Sequence, residues 1–227
     1  MIDETAVDVA ITTRHSIRAF QRTPVPLPMV EHLLRVAARA PSGSNIQPWR
    51  VHVLLGDALA RFTGAMTSAF EAGEPEAPEY DYYPQHWRSP YIERRRETGL
   101  GLYALAGVEK GDRAGAARQR GRNYTFFGAP VGLIFTIDKD MGRGSWLDFG
   151  MLLQSIMVAA RGHGLDTCPQ AAMMNYPAVV RSHLAIGDDV TIVCGMALGH
   201  ADLSDPTCLF QTRREALSVF VTVHGAA

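Results

Sequence analysis

An α+β or mixed α/β architecture is predicted for this 227-residue chain by three observations. Helix-period and strand-like apolar segments alternate along it, no segment repeats, and 47% of its residues are hydrophobic. A chain of this length and composition can bury a sizeable core as one large domain, residues 1–227.

The elements follow in order. Pro28 opens a helix in which Val30, Leu33, Leu34, Ala37 and Ala38 recur at helical spacing, and Pro41 closes it. Residues 51–55 read as a short strand, and Asp57 as the N-cap of a helix carrying Leu59, Phe62, Met66 and Phe70. Residues 71–90, rich in Glu, Pro and Tyr, keep neither periodicity and read as a long surface loop or lid. Residues 91–122 carry many Arg residues around a Leu/Gly run, as one or two helices with a basic face would, so 71–122 is expected to form a lid or insertion. The apolar run 131–137 predicts a strand buried on both faces. Ser145 or Asp148 starts a helix through Met151, Leu152, Leu153, Ile156, Met157 and Ala160, apolar almost all round and so expected in the middle of the protein or of a dimer. Gly162 and Gly164 end it. A turn at 165–170, a helix after Asn175 with Pro177 in its first turn, a buried strand at 190–197 and a strand-like 219–224 complete the chain.

A formal charge of −1 and a pI of about 6.7 give no footprint for nucleic acid or an anionic membrane, so small-molecule partners are expected. Cys168, Cys194 and Cys208 match neither a disulfide framework nor a zinc ribbon, which favours a reducing compartment, the cytoplasm. The acidic start Met1-Ile2-Asp3-Glu4 lacks a basic-then-apolar signal, and the apolar stretch 146–160 is interrupted by Asp148, Gln154 and Ser155; no leader or membrane span is expected. His32, His52 and His163 lack ligand spacing, so no metal site is expected. Gly99, Gly101 and Ala104 fit a relaxed dinucleotide fingerprint, but no strand precedes them.

Three segments carry chemistry. Arg14-His15-Ser16-Ile17-Arg18 places two guanidinium forks around a hydroxyl, a set suited to a phosphate. Ala40 to Trp49 offers backbone amides and the short polar side chains of Ser42, Ser44, Asn45 and Gln47 between Pro41 and Pro48, suited to the rim of a planar ligand. Gly164 to Gln170 adds amides and the Thr167 hydroxyl; donors near a flavin's ring nitrogens stabilise its anionic reduced form. Singly these segments also read as a solvated strand, a helix-to-strand connection and a glycine-capped turn. Together they point to flavin mononucleotide, FMN. Tyr82, Tyr83, Trp87, Tyr124, Phe126 and Phe127 are candidates for substrate walls, with packing in a lid or core as the alternative.

Four ordered motifs, Arg-His-Ser-Ile-Arg-Ala-Phe at 14–20, Ala-Pro-Ser-Gly-Ser-Asn-Ile-Gln-Pro-Trp at 40–49, Gly-Leu-Asp-Thr-Cys-Pro-Gln at 164–170 and Gly-Met-Ala-Leu-Gly-His at 195–200, resemble the nitroreductase family. Segments 123–130 and 145–148 are similar to its nitrobenzoate and nitroaromatic reductase branch. The resemblance implies a nitroreductase-like fold, a mixed central β-sheet flanked by helices, in an interlocked homodimer with two FMN sites lined by both chains. By motif position, Arg14, His15, Ser16 and Arg18 would hold the ribityl phosphate and part of the ring edge. Pro41, Ser42, Gly43, Asn45 and Gln47 would reach across from the second chain. Thr167, Cys168, Pro169 and Gln170 would lie beside the isoalloxazine, and Arg214, next to Arg213, would complete the phosphate clamp. His15 stands where a second Arg is usual, so cofactor affinity is expected to fall as pH rises.

The implied activity is ping-pong: NAD(P)H delivers a hydride to the flavin, and a nitroaromatic, quinone or similar electron-poor acceptor is then reduced, with no side chain required as a catalytic acid or base. A protein that sequesters, senses or consumes flavin is an alternative within the same fold, as is a reductive dehalogenase or enone reductase.

Overall fold

The computed structural model describes residues 3–225; Met1 and Ile2, part of the start judged free of a leader, lie outside the described residues, as do Ala226 and Ala227. Four strands form one sheet in the order β1-β2-β4-β3, with β1 at Trp49–Leu55, β2 at Val131–Asp138, β3 at Asp166–Gln170 and β4 at Val190–Gly199. Every pairing between these strands is antiparallel. The mixed sheet expected from the resemblance is thus corrected, and among the described residues the one parallel contact is an isolated bridge from Ser16 to Thr167. All ten residues of β4 are buried, and seven of eight in β2, because both strands are interior to the sheet and covered on both faces.

Helices cover both faces. α2 (Leu27–Ala37) and α6 (Arg143–Gly162) pack Val30, Leu33, Phe149, Leu152 and Ile156 against Leu133 and Phe135 of β2. On the other face α3 (Gly56–Glu71) and α7 (Pro177–Leu184) pack Phe62, Met66 and Val180 with Ile134 and Ile192. α1 (Ala6–Thr13) lies against α6 and is capped by Thr5, which exchanges hydrogen bonds with Asp8 in a capping box. Residues 72–90 form a connection without a helix or strand, followed by α4 (Tyr91–Leu105) and α5 (Arg113–Gly121).

Three expectations are corrected. Residues 166–170, read as part of a turn, form β3: as an edge strand it tolerates Pro169, whose missing N–H costs nothing on an unpaired side. Residues 219–224, read as strand-like, instead begin in the second half of a one-turn helix α8 (Leu217–Phe220) and continue as exposed irregular chain. The α3 N-cap is Leu55, with Asp57 inside the first turn, where a carboxylate still favours the helix dipole.

Among the described residues no helix is long and apolar enough to cross a membrane, and no group of three His, Cys, Asp or Glu could hold a metal ion.

Candidate functional site

The segment after α1 is threaded between β3 and a turn at Pro206–Leu209. Ile17 donates its amide to the Thr167 carbonyl at 3.1 Å. The His15 ring spans two backbone carbonyls, with Nδ1 3.1 Å from Thr13 O and Nε2 2.8 Å from Cys208 O. A neutral imidazole can donate to one of these and a protonated ring to both. His15 therefore fastens the segment to the turn. Arg122 does the same from further away, donating to Arg18 O at 2.7 Å and to Asp205 Oδ2 at 2.9 Å. Asp205 in turn accepts from the Thr207 amide at 2.9 Å and hydroxyl at 2.6 Å. Burial pulls the Asp205 carboxyl upward, but those bonds and the Arg122 guanidinium hold it below the usual carboxylate range.

What this scaffold presents is a hollow of about 310 Å³ lined by Thr12, Thr13, Arg14, His15, Thr212 and Arg214 among others, with no carboxylate among the described residues in its wall. Burial, then the facing charge of Arg214, lowers the pKa of the Arg14 guanidinium. Two cations sharing a site without a counter-ion are a receptor for an anion. Arg213 does not line this hollow; its Nε lies 3.6 Å from Glu97 Oε1. Arg18 bonds back to the Ser16 carbonyl at 3.1 Å.

β3 forms the next wall. Thr167, Cys168 and Gln170 are buried while Pro169 is exposed. Two polar atoms here, Thr167 Oγ1 and Gln170 Oε1, are buried without a hydrogen-bond partner. Each such orphan costs about 1–3 kcal/mol, so the pair marks a place built for a polar ligand. The other end of Gln170 is fixed, its Nε2 donating to the Asn123 carbonyl at 2.7 Å. Burial pushes the Cys168 thiol up to about 11 despite Arg18, a Ser16 hydrogen bond and Arg14, which pull it down; it stays protonated and is no nucleophile at neutral pH.

A cavity of about 380 Å³ adjoins Pro169 and Gln170 and is walled by Tyr80, Tyr82, Trp146 and Leu153. The Tyr80 ring meets Trp146 edge-on at 4.7 Å, and its hydroxyl donates to Val193 O at 2.6 Å. Burial drives its pKa above the ordinary phenol value. The sequence does not mark Tyr80 and Trp146 as walls, because they lie far apart in the chain and meet only in the fold. Tyr83 and Trp87 stack together at 5.3 Å, with the Arg95 guanidinium 4.5 Å from the Trp87 ring. The expectation that Tyr124, Phe126 and Phe127 could be substrate walls is corrected: all three rings are buried in the core. Phe126 packs against Phe62 at 6.0 Å, and Tyr124 against Phe70 at 5.1 Å.

The loop holding Pro41, Ser42, Gly43, Asn45 and Gln47 is preformed but lies elsewhere. Ser44, Asn45 and Gln47 have φ of 51°, 58° and 49°, a left-handed backbone costing about 1–2 kcal/mol per non-glycine residue. Local bonds hold it: Gln47 N donates to Ser42 Oγ at 3.0 Å, Gln47 Nε2 to Asn45 O at 3.0 Å, and Gly43 N to Asp148 Oδ2 at 3.0 Å. Strain of this kind on an exposed loop is characteristic of binding segments. Asp148 sits near the start of α6, whereas Arg161 near its end bonds Thr13 and Asp166, at 3.1 and 3.0 Å, beside the anion hollow. Arg161 lies thirteen residues on from Asp148 along the helix, roughly 20 Å at 1.5 Å per residue. One chain therefore brings Arg14, His15, Ser16, Arg18, Arg214 and β3 together, and leaves 41–47 at the far end of the helix.

The orphaned rim atoms and the carboxylate-free cation pair fit a planar, polar-edged group with a phosphate tail, as FMN is. The comparisons agree with that fit. The model of the nitroreductase family matches residues 11–200. Over 218 residues the chain is 40% identical to a 4-nitrobenzoate reductase of Pseudomonas putida, spanning 96% of this chain and 95% of that protein. It is 41% identical over 218 residues to a chloronitrobenzene nitroreductase of Comamonas testosteroni, spanning 95% and 96%. The crystal structure of the FMN and NADPH-dependent nitroreductase NfnB from Sphigopyxis sp. strain HMH matches with a TM-score of 0.94 at 37% identity, over 98% of this chain and 100% of that one. With family motifs, fold and sequence in agreement along nearly its whole length, this chain belongs to the nitroreductase family.

Proposed function

We propose that the protein is an FMN-dependent oxidoreductase that uses NAD(P)H to reduce nitroaromatic and similar electron-poor acceptors. The observation that carries this reading is the pair of buried, unpartnered atoms on β3, Thr167 Oγ1 and Gln170 Oε1, in a strand bridged to the segment that carries Arg14. Arg14 and Arg214 would hold the phosphate, the Ser16 hydroxyl and Arg18 would stand at its side, and Thr167 and Gln170 would meet the ring edge. When bound, FMN supplies the redox chemistry, a hydride taken from NAD(P)H and two electrons passed to the acceptor in a separate half-reaction. The chain's own task is orientation and exclusion of water, and well-oriented reactants alone can gain on the order of 7–11 kcal/mol. Tyr80, Tyr82 and Trp146 offer aromatic surface against which a flat acceptor can stack. No side chain is needed as a catalytic acid or base.

A homodimer completes the site in this reading. The placement of 41–47 and the anion hollow at opposite ends of α6, roughly 20 Å along the helix, is what supports it, since a second copy would bring its own loop to the ligand held by the first. Exposed Val7, Leu147, Leu217, Phe220 and Val223 are apolar surface available to such an interface. Residues 71–122 would act as a lid over the acceptor cavity, and three buried, unpaired cysteines suit the cytoplasm.

The test is anaerobic mixing of the yellow purified protein with NADH and then NADPH. Bleaching reversed by a nitroarene supports the proposal. Colourless protein that takes up no FMN overturns it. Light scattering should give twice the 24.8 kDa chain mass; a monomer that binds FMN with full affinity would remove the dimer reading alone.

A further inference from the structure

Arg214 reaches the anion hollow from a segment with no helix or strand of its own, residues 211–216. Something must hold that segment, because a long cationic side chain on free chain loses much of its affinity to ordering entropy. The neighbours of Arg214 on both sides are held by α4. Glu215 Oε1 accepts from Arg94 Nε at 3.0 Å, and Arg213 Nε lies 3.6 Å from Glu97 Oε1. The two ion pairs have opposite polarity, so each cation faces an acid across the gap; sliding by one residue loses the Arg94 pair in either direction, to Ala216 in one and to the like charge of Arg214 in the other. A third contact fixes the same register: a Cβ placed on Gly101 would stand 2.6 Å from Phe210 Cε2, so the Phe210 ring occupies the space that glycine leaves on α4. Arg94, Glu97 and Gly101 lie at spacings of three and four, on one face of the helix, and meet 215, 213 and 210 in antiparallel order. This also accounts for Gly101, which resembled part of a dinucleotide fingerprint but lies mid-helix.

Resting on the reading of the hollow as the FMN phosphate site, we propose that Arg94 and Glu97 on α4 are positioning residues for Arg214, so that the helix following the 72–90 connection presents the clamp that captures the cofactor's phosphate. Singly, exposed ion pairs of this kind contribute little to stability. Their effect here is on where Arg214 stands, and it is therefore selective for the anion.

The experiment titrates FMN, and in parallel riboflavin, which lacks the phosphate, into flavin-stripped protein and follows flavin fluorescence. Arg94→Gln combined with Glu97→Gln should raise the FMN Kd about tenfold and leave the riboflavin Kd within twofold. Arg94→Glu should weaken FMN similarly, and adding Glu215→Arg should restore it to within threefold of the parent protein. An unchanged FMN Kd in the double variant overturns the inference, and so does equal weakening of both flavins, which would mean general damage. Arg214→Gln separates the two levels of argument. If it weakens FMN selectively while the α4 variants do not, the clamp stands and the α4 role falls; if it leaves FMN binding intact, the phosphate reading itself fails.

Discussion

Gly43 donates its amide to Asp148 Oδ2 at 3.0 Å, and this bond ties the left-handed 41–47 loop to the first half of α6. A buried carboxylate accepting a backbone amide fixes the height of the loop above the helix, and hence where Ser42, Asn45 and Gln47 point. The bond joins residues 105 positions apart.

Asp148→Ala should release the loop. Loss of a hydrogen bond to a buried charged acceptor costs about 1–3 kcal/mol, which for a protein of this size is roughly 2–12 °C in Tm. FMN affinity should fall about tenfold, because the strained loop relaxes without its tether. Asp148→Asn keeps an acceptor oxygen and should fall between. Calorimetry and flavin titration check this; an alanine variant with unchanged Tm and Kd would contradict it.

Phe126 is a core residue, and its removal should be felt in stability. Phe126→Ala should cost about 3–5 kcal/mol. A Cβ at Gly132 would lie 2.5 Å from Phe126 Cε2, so Gly132→Ala should destabilise the parent protein and do much less harm in the Phe126→Ala background. Denaturant unfolding of all four proteins measures that coupling. Additive effects would sink it.

Asp205 gives a pH dependence with a definite sign. A carboxyl held below its unfolded value contributes stability that is present above the unfolded pKa and lost as pH falls through the lower folded pKa. The Tm gap between the parent protein and Asp205→Asn should therefore be full at neutral pH and close progressively below about pH 4. A gap that stayed constant down to strong acid would show that the hydrogen-bond geometry, and not the charge, carries the effect.

Trp146 and Tyr80 face the acceptor cavity beside Gln170. Trp146→Ala should raise KM for nitroarenes about tenfold through lost stacking, worth about 0.5–1.5 kcal/mol beyond area burial, with the FMN Kd moved less than twofold. Tyr80→Phe loses the bond to Val193 O and should loosen the base of the 72–90 connection, seen as faster proteolysis there.

Much of this was legible in the residues. The 3–4 spacing of Val30, Leu33, Leu34 and Ala37 gave α2, and the apolar run at 131–137 gave β2, because burial on one or both faces leaves a periodic trace. β3 was not legible: Asp166, Thr167, Pro169 and Gln170 are polar or strand-breaking, and the segment is a strand only because the edge of β4 offers it a ladder. The converse failed at 219–224, where β-branched residues have no neighbouring strand to pair with. At the site, the cations and the loop were legible as motifs, whereas Asp148, Arg122 and Asp205 were not, since their partners are 83 to 105 residues away. The burial of Phe126 and Phe127 depends on left-handed backbone, φ 49° and 55°, that aromatic residues rarely adopt.

The span of α6 has a genetic consequence. If each cofactor is gripped at its tail by one polypeptide and at its rim by the other, two crippled genes can repair one another. A subunit lacking Arg14 and a subunit with a ruined Asn45 would, when mixed, assemble pairs in which one station inherits both lesions and the other inherits none. Coexpression of two dead variants should then return activity to no more than half that of the parent.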